Sequence, residues 1–308
     1  MTNCLTTYYY KKNSIEKSYS KIVIYGNSKT GTTACFLKIK NSLPKEPRKL
    51  FEQPLYIPHP EDNNKPVLAK VIIPPDPNLY ILKVPGAKKS DNLKQKVEIG
   101  IESFKCFDKK ILLLRDPRDR IVSGTLFLPQ ERKEIYGNQK QLELVLRIIR
   151  QKEKNPRSVS LLKILSTILQ KDDASIKNIL KSIINRHHNY IFDFEKKVEN
   201  LVKWKYEDMI VGNDKHIEKY LGIEILPKPP EEKKFDYVAR SKSSGDWKHW
   251  FTPKDVKFFT ALIDKYLQHF RYETKWHLPS QPYIKPEHAS EYISRTVKRK
   301  KLLQKDNL

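Results

Sequence analysis

Short apolar runs alternate with amphipathic segments along the first half of the chain. Lys21 to Tyr25 (KIVIY), Leu79 to Val84 (LYILKV) and Lys110 to Leu114 (KILLL) are apolar and predict buried strands. Residues 34–43 and 93–104, between these runs, carry apolar positions at helical spacing. Strands that alternate with helices in this way predict an α/β fold with a doubly wound parallel sheet flanked by helices.

The second half of the chain is mostly helical in pattern. Residues 139–199 have helical periodicity, and Leu201 to Tyr206 returns to strand character. Thr252 to Asp255 (TPKD) has the form of a capping box and predicts the start of another helix. Pro44 to Pro77, in the first half, is rich in proline and is interpreted as loop.

Composition and charge narrow the class of protein. The chain has 308 residues, with 60 Lys and Arg against 36 Asp and Glu, so its formal charge of +24 should attract polyanions, acidic sugars, anionic lipids or nucleotides. Cys4, Cys35 and Cys106 are scattered and predict neither a disulfide framework nor a zinc site. No run approaches the roughly 20 apolar residues of a membrane span, and the amino terminus lacks a signal-peptide core. We therefore expect a cytoplasmic protein.

Directly after the first predicted strand, Gly26 to Thr33 reads G-N-S-K-T-G-T-T. This has the G-x-x-x-x-G frame of a P-loop, but Thr32 stands where an ATPase has its lysine, and the lysine is Lys29, inside the loop. A loop between strand and helix directs backbone N–H groups and the positive helix end at an anion. The motif predicts a metal-free site for a phosphate-like group. An ATP-dependent P-loop kinase is the alternative, which the displaced lysine disfavours.

Four segments, in this order, resemble those of PAPS-dependent sulfotransferases, where PAPS is 3'-phosphoadenosine 5'-phosphosulfate. YGNSKTGTT is similar to the family's P-K-S-G-T-T loop, and LLLRDPRDRIVSG to its strand-to-helix segment. KWKYEDM is similar to its Y-E-D-M/L segment, and ARSKSSGDWKHWFT to its R-K-G-x-x-G-D-W-K-N-x-F-T segment. The resemblance spans about Lys21 to Tyr272 and implies a P-loop-like fold that binds PAPS as donor and releases PAP, the 3',5'-bisphosphate, as product.

The resemblance also implies two anion pockets. One pocket, for the 5'-phosphosulfate, is made of loop residues. The other, for the 3'-phosphate, combines two arginines and a serine with the segment that follows the second arginine. The resemblance also places Tyr206 near the adenine. The loop residues are Ser28, Lys29, Thr30, Gly31, Thr32 and Thr33, and those of the second pocket are Arg115, Ser123, Arg240, Lys242, Ser243 and Gly245. Lys242 replaces the Gly of the family's R-K-G and is a substitute cation. Ala34 replaces the aromatic residue that stacks on adenine in many relatives.

The general base must differ from that of the soluble animal enzymes. Their K-T-H-L-P histidine is missing from the stretch Lys83 to Gly86, whereas Leu50 to Pro54 (LFEQP) resembles the L-F-E-P segment of carbohydrate sulfotransferases. Glu52 is therefore the candidate base, and His59 is the runner-up. The expected reaction is in-line sulfuryl transfer, with Lys29 neutralising the departing phosphate oxygen and no metal. The acceptor is then a saccharide or glycolipid hydroxyl, with small alcohols and phenols as the alternative.

The domain organisation follows from these assignments. We predict an extension over residues 1–20, a sulfotransferase domain over 21–275 whose helical region 139–199 caps the acceptor side, and a basic tail over 276–308. The VKRKK run at 297–301 raises a second function, a basic nucleic-acid-binding protein, but no nucleic-acid-binding motif accompanies it. No nucleic-acid partner is expected, and the oligomeric state stays open.

Overall fold

The fold is known from a computed structural model of the chain, which describes residues 20–53, 55–73, 93–227 and 240–305, with the side chains of 93–97 and 305 excepted. The strand predicted at Leu79 to Val84, and with it the stretch Lys83 to Gly86, lies outside the described residues.

In the part of the chain that the structure describes, five parallel strands form one sheet, in the order β2-β3-β1-β4-β5. They are β1 (Lys21–Gly26), β2 (Arg48–Phe51), β3 (Val67–Ile72), β4 (Lys109–Leu114) and β5 (Leu201–Lys205). Each neighbouring pair is parallel, and β1 lies at the centre between β3 and β4. The parallel α/β class predicted from the alternating pattern is confirmed.

Twelve helices are present in the described part of the chain. They are α1 (Thr32–Ser42), α2 (Leu93–Ser103), α3 (Pro117–Glu131), α4 (Lys133–Tyr136), α5 (Gln139–Lys154), α6 (Leu161–Leu169), α7 (Asp173–Lys197), α8 (Tyr206–Val211), α9 (Lys215–Leu221), α10 (Trp247–Trp250), α11 (Pro253–His269) and α12 (Ser290–Lys305). Two short 3-10 turns, Pro60–Asn63 and Pro286–His288, complete the regular structure. The helical periodicity of 139–199 is borne out by α5, α6 and α7.

Both faces of the sheet are buried, which is why β1 and β4 contain continuous apolar runs rather than an alternating pattern. On one face, Ile22 and Ile24 of β1 belong to a core cluster that includes residues of α1, α8 and α9. On the other face, Val23 and Tyr25 pack with residues of α7 and α11. Helices therefore cover the sheet on both sides, as the doubly wound prediction requires.

The interpretation of Pro44 to Pro77 as loop is wrong, because the segment supplies both β2 and β3. Val67–Ile72 is buried at its first five positions and pairs with β1 along its whole length. Its apolar run is interrupted by Lys70 and stands among prolines, and these two features conceal the strand from pattern analysis.

The segment 276–308 is not a detached tail in the described residues. Its helix α12 buries Tyr292, Ile293 and Val297 in a core cluster shared with α3, α5 and α11. The buried positions recur at helical spacing, but the charged residues between them dominate the composition. The folded domain therefore extends past residue 275.

The sheet order places the site. The chain passes from β3 to β4 across β1, so the carboxyl end of β1 lies at the point where strand order reverses, which is where parallel α/β sheets bind ligands. The loop Gly26 to Thr33 leaves the sheet at this end. Within the described residues, no helix is long and apolar enough to cross a membrane.

Candidate active site

The loop Gly26 to Thr33 is a tight turn between β1 and α1. Thr30 donates from its backbone N–H and its hydroxyl to the carbonyl oxygen of Asn27, at 3.3 and 2.7 Å. Lys29 and Gly31 have φ values of 65° and 91°, in the left-handed region. These two turns of the backbone bring the chain round to the first turn of α1.

Gly31 is required at its position. A Cβ on Gly31 would lie 2.4 Å from Cδ2 of Tyr206, so the tyrosine ring rests directly on the loop backbone. The same ring also contacts the guanidinium of Arg115, whose Cζ lies 4.3 Å from the ring centroid. Tyr206, predicted near an adenine, thus joins the loop to Arg115; its place beside a base stays a prediction.

The first turn of α1 is open to an anion. Gly31 is its N-cap residue, no side chain among the described residues caps it, and its first turn contains no acid. The N–H groups of a first turn have no partner within the helix, and the helix dipole places partial positive charge there. Both features suit a phosphate or sulfate, as the loop motif predicts.

Lys29 extends from the loop to Phe127 of α3, with Nζ 3.4 Å from the ring centroid. Burial lowers the pKa of this amine to about 7, and the positive charge of Arg115 contributes in the same direction. The charge of Glu131 raises it, and the charges of Arg240 and Lys70 lower it further. Lys29 therefore lies in a positive environment, which suits the binding of an anion.

Arg115, which directly follows β4, is buried beside the loop. It donates from Nη1 to the carbonyl oxygen of Lys29 at 3.2 Å, and its Nη2 lies 3.5 Å from the carbonyl oxygen of Ser243. Its Nε is buried and has no hydrogen-bond partner among the described residues. Arg115 therefore links the two predicted pockets, and its Nε can donate a hydrogen bond to a bound anion.

Arg240, the second arginine predicted for the 3'-phosphate pocket, is also buried. Its Nη1 lies 2.5 Å from Asp246 Oδ2 and 3.4 Å from the carbonyl oxygen of His288. Its Nε and Nη2 are buried without a partner among the described residues. A buried guanidinium normally satisfies its donors, so these nitrogens point to a missing anionic acceptor.

Asp119 holds the segment after Arg240 in place, a role that sequence reasoning missed. Its carboxylate is fully buried on α3 and accepts from the backbone N–H groups of Gly245 at 2.7 Å and Trp247 at 2.9 Å. Burial raises the pKa of this carboxyl, and the nearby charge of Arg115 opposes that shift. Asp119 thereby fixes a glycine whose φ of 79° belongs to the left-handed region.

The other residues predicted for the second pocket lie on α3 and on the segment that follows Arg240. Ser123 is buried on α3, two turns after Arg115, and Lys242, with a φ of 50°, stands next to Ser243. The structure thus brings Arg115, Arg240 and the 242–245 segment together around the loop. Contact of Ser123 or Lys242 with a phosphate stays a prediction.

Glu52 reaches the loop through a lysine. Its Oε1 lies 2.6 Å from Nζ of Lys70, and the same Nζ lies 2.9 Å from Oγ1 of Thr33. Glu52 stands at the carboxyl end of β2 with a φ of 56°, and its side chain is 39% exposed, so an acceptor can reach it from solvent. The predicted base and the predicted phosphate loop are therefore neighbours.

Lys70, like Asp119, is a residue of this site that sequence reasoning missed. Its side chain is 2% exposed on β3, with Nζ 4.0 Å from the Phe51 ring centroid. Burial lowers the pKa of this amine, and the charge of Glu52 acts in the opposite direction. A lysine inside the apolar run VLAKVI was the available signal, since lysine is almost never fully buried without a partner.

His59, the runner-up base, lies elsewhere. It is the N-cap residue of the Pro60–Asn63 turn, where its Nδ1 accepts from the N–H of Glu61 at 3.3 Å, and it is exposed. None of its hydrogen bonds within the described residues reaches the loop. The described residues also contain no group of three or more His, Cys, Asp or Glu that could hold a metal ion.

The fold and this site define a parallel α/β protein with a P-loop-like anion site at the switch point of its sheet. No protein-family model matches the chain, and no curated protein sequence matches it. Among solved structures the chain is similar to the crystal structure of mouse sulfotransferase SULT7A1 complexed with PAP. The two are 15% identical, the match covers 81% of this chain and 84% of that one, and the TM-score is 0.40.

Proposed function

We propose that this chain is a sulfotransferase that moves the sulfuryl group of PAPS to a hydroxyl of an acceptor. The observation that carries the proposal is a set of buried guanidinium nitrogens that have no partner among the described residues, Nε of Arg115 and Nε and Nη2 of Arg240, beside a P-loop-like helix start that no described side chain caps. Two groups of anion donors in one site suit a nucleotide with two separated anionic groups. PAPS has this form, with a 5'-phosphosulfate and a 3'-phosphate.

The loop and the arginines have separate tasks in this proposal. The amides of Thr32 and Thr33 and the amine of Lys29 bind the 5'-phosphosulfate, and Arg115 and Arg240 bind the 3'-phosphate. An ATP-dependent kinase would place its phosphates in one chain along the loop, with a lysine at the position that Thr32 occupies here. The second group of donors would then have no ligand, so the kinase alternative is the weaker one.

The proposed reaction uses Glu52 as general base. Its carboxylate takes the proton of the acceptor hydroxyl, the oxygen forms a bond to sulfur, and the bond between sulfur and the bridging phosphate oxygen breaks, which releases PAP. Lys29 and the first-turn amides of α1 stabilise the negative charge that gathers on that phosphate oxygen. Charge therefore develops where the loop already concentrates donors.

Lys70 lies between the proposed base, Glu52, and the loop that binds the donor. Its amine, 2.6 Å from Glu52 and 2.9 Å from Thr33, holds the base beside the loop that binds the donor. A cation at this place also opposes the repulsion between the Glu52 carboxylate and an incoming sulfate. We assign Lys70 to positioning the base and screening the transferred group.

A saccharide or glycolipid hydroxyl is the acceptor that we propose. The support is the candidate base Glu52, within a segment that resembles the L-F-E-P of carbohydrate sulfotransferases, and the charge of +24, which favours an acidic acceptor. A small alcohol or phenol is the second candidate, because the half-exposed Glu52 carboxylate is accessible to a small molecule as well.

Ligand-induced stabilisation tests the donor half of the proposal. PAP in buffer with EDTA should raise the thermal midpoint of unfolding by several degrees, since saturation at 100 times Kd adds about 2.7 kcal/mol of stability. AMP, which lacks the 3'-phosphate, should stabilise less. A shift that requires magnesium and is larger with ATP than with PAP would contradict the proposal and favour the kinase.

A further inference from the structure

Helices α5 and α12 pack side by side in opposite directions. At one end the backbone N–H of Ser290 donates to Oε1 of Glu153 at 2.7 Å. At the other end Nε2 of Gln304 donates to the hydroxyl of Tyr136, just before α5, at 2.8 Å. These two contacts show that the helices run antiparallel and meet near both ends.

Each helix turns its apolar stripe to the same core cluster. Val145 and Ile149 of α5 and Ile293 and Val297 of α12 are all buried in it. The exposed positions of the two helices include Lys140, Leu144 and Arg147 of α5 and Lys298, Leu302 and Leu303 of α12, and we call them together the α5/α12 face.

The α5/α12 face is strongly basic. Helix α5 contains five Lys and Arg and helix α12 contains six, against three Glu in both. Exposed cations on the two helices are Lys140, Arg147, Arg150, Lys154, Arg295 and Lys298. Lys and Arg make up 11 of the 32 residues of the two helices, against 60 of 308 in the chain, so the face should attract a large anionic surface.

Leucines stand among these cations at one end of the face. Leu302 and Leu303, near the end of α12, are 53% and 45% exposed, and Leu144 of α5 is 37% exposed. Because Gln304 meets Tyr136, the end of α12 lies beside the start of α5, and Leu144 lies less than two turns further along. Basic and apolar side chains are thus combined at one edge of the molecule.

From this combination we infer that the α5/α12 face docks the protein onto an anionic membrane surface. Lipid head groups attract the lysines and arginines, while leucines gain free energy by entering the boundary between head groups and acyl chains. A nucleic acid or an acidic polysaccharide would use the cations but gain little from leucines, and stacking with bases would favour aromatic side chains. The inference does not depend on the proposed enzymatic function.

Vesicle co-sedimentation tests the inference with the full chain. The protein should pellet with phosphatidylcholine vesicles that contain phosphatidylserine and stay in solution with phosphatidylcholine alone. Lys140→Gln with Lys298→Gln should lower the partition coefficient about 30-fold, which is the loss of two charge contacts of about 1 kcal/mol each, converted at about 1.4 kcal/mol per tenfold. Leu302→Ser with Leu303→Ser should lower it roughly 10-fold, since each leucine has about half of its surface to bury.

Matched controls keep the result interpretable. Lys181→Gln with Lys196→Gln, two exposed lysines of α7, should leave vesicle binding unchanged. All variants should keep the wild-type thermal midpoint, because the substituted side chains lie outside the core. No binding to phosphatidylserine vesicles would overturn the inference. So would binding that ignores the leucine substitutions and is matched by an RNA oligonucleotide or heparin, since the face would then recognise soluble polyanions.

Discussion

Replacing Arg115 with methionine removes one cation of the site and keeps much of its apolar stem. Within the protein it removes the 3.2 Å bond to the carbonyl oxygen of Lys29 and the stack 4.3 Å from the Tyr206 ring, which together contribute about 1 to 2 kcal/mol to stability. In the complex it removes a charge-assisted hydrogen bond to the 3'-phosphate. Such a bond contributes about 1.5 to 3 kcal/mol, which corresponds to a Kd about 10 to 150 times higher.

Titration calorimetry with PAP and with AMP isolates this contribution. PAP binding should weaken by the full factor in Arg115→Met, whereas AMP, without a 3'-phosphate, should bind wild type and variant with Kd values within about threefold. Arg147→Met, at an exposed arginine of α5, is the matched control and should change neither Kd.

Comparing PAP with AMP distinguishes direct binding of the 3'-phosphate by Arg115 from an effect of Arg115 on the shape of the loop. An equal loss for PAP and AMP would mean that Arg115 acts by shaping the loop through Lys29, which would refute its assignment to the 3'-phosphate. An unchanged Kd for PAP would remove Arg115 from the donor site altogether.

Three further predictions concern the loop and its surroundings. Lys70→Met should lower turnover about 100- to 1,000-fold, as measured by steady-state kinetics, and full activity would exclude the assigned role. The free energy of unfolding, measured by urea denaturation, should change by no more than about 1 kcal/mol, because a buried charge is replaced by an apolar side chain of similar length. PAP affinity should fall as pH rises above 7, because burial lowers the pKa of Lys29 to about 7 in the free protein, so the complex, in which phosphate raises that pKa, must take up a proton. Calorimetry over pH should show this slope, and its persistence in Lys29→Met would disprove the cause. Gly31→Ala should cost about 1 to 3 kcal/mol in urea denaturation because its Cβ would meet the Tyr206 ring, whereas Gly124→Ala, with nothing within 4 Å of the new Cβ, should be harmless.

Pattern analysis found β1 and β4 from the uninterrupted apolar runs in KIVIY and KILLL, which suit strands covered by helices on both faces. It also found β5 from the strand character of Leu201 to Tyr206. Val67–Ile72 is equally buried but includes Lys70, and only the folded structure supplies the partners, Glu52 and Thr33, that make a buried lysine tolerable. Lys70 thus concealed the strand.

The candidate site was predictable where one segment carries the chemistry. The loop frame around Lys29 and the two arginines were identified from local motifs, and the structure brings them together. Asp119 was missed because its role depends on backbone N–H groups of Gly245 and Trp247, more than 120 residues away along the chain. Contacts of this kind follow from the tertiary fold and leave no local pattern.

Transfer of sulfur itself is the most direct test of the proposed function. The protein is incubated with PAPS labelled in its sulfate, in EDTA, with a panel of acidic saccharides, glycolipids and phenols, and labelled acceptor and released PAP are measured together. We predict that one class of acceptor acquires the label with one PAP formed per transfer, and that Lys29→Ala abolishes the transfer. Labelling that proceeds at the wild-type rate in Lys29→Ala, or an absence of transfer to every acceptor by a protein that does not bind PAP, would contradict the proposal.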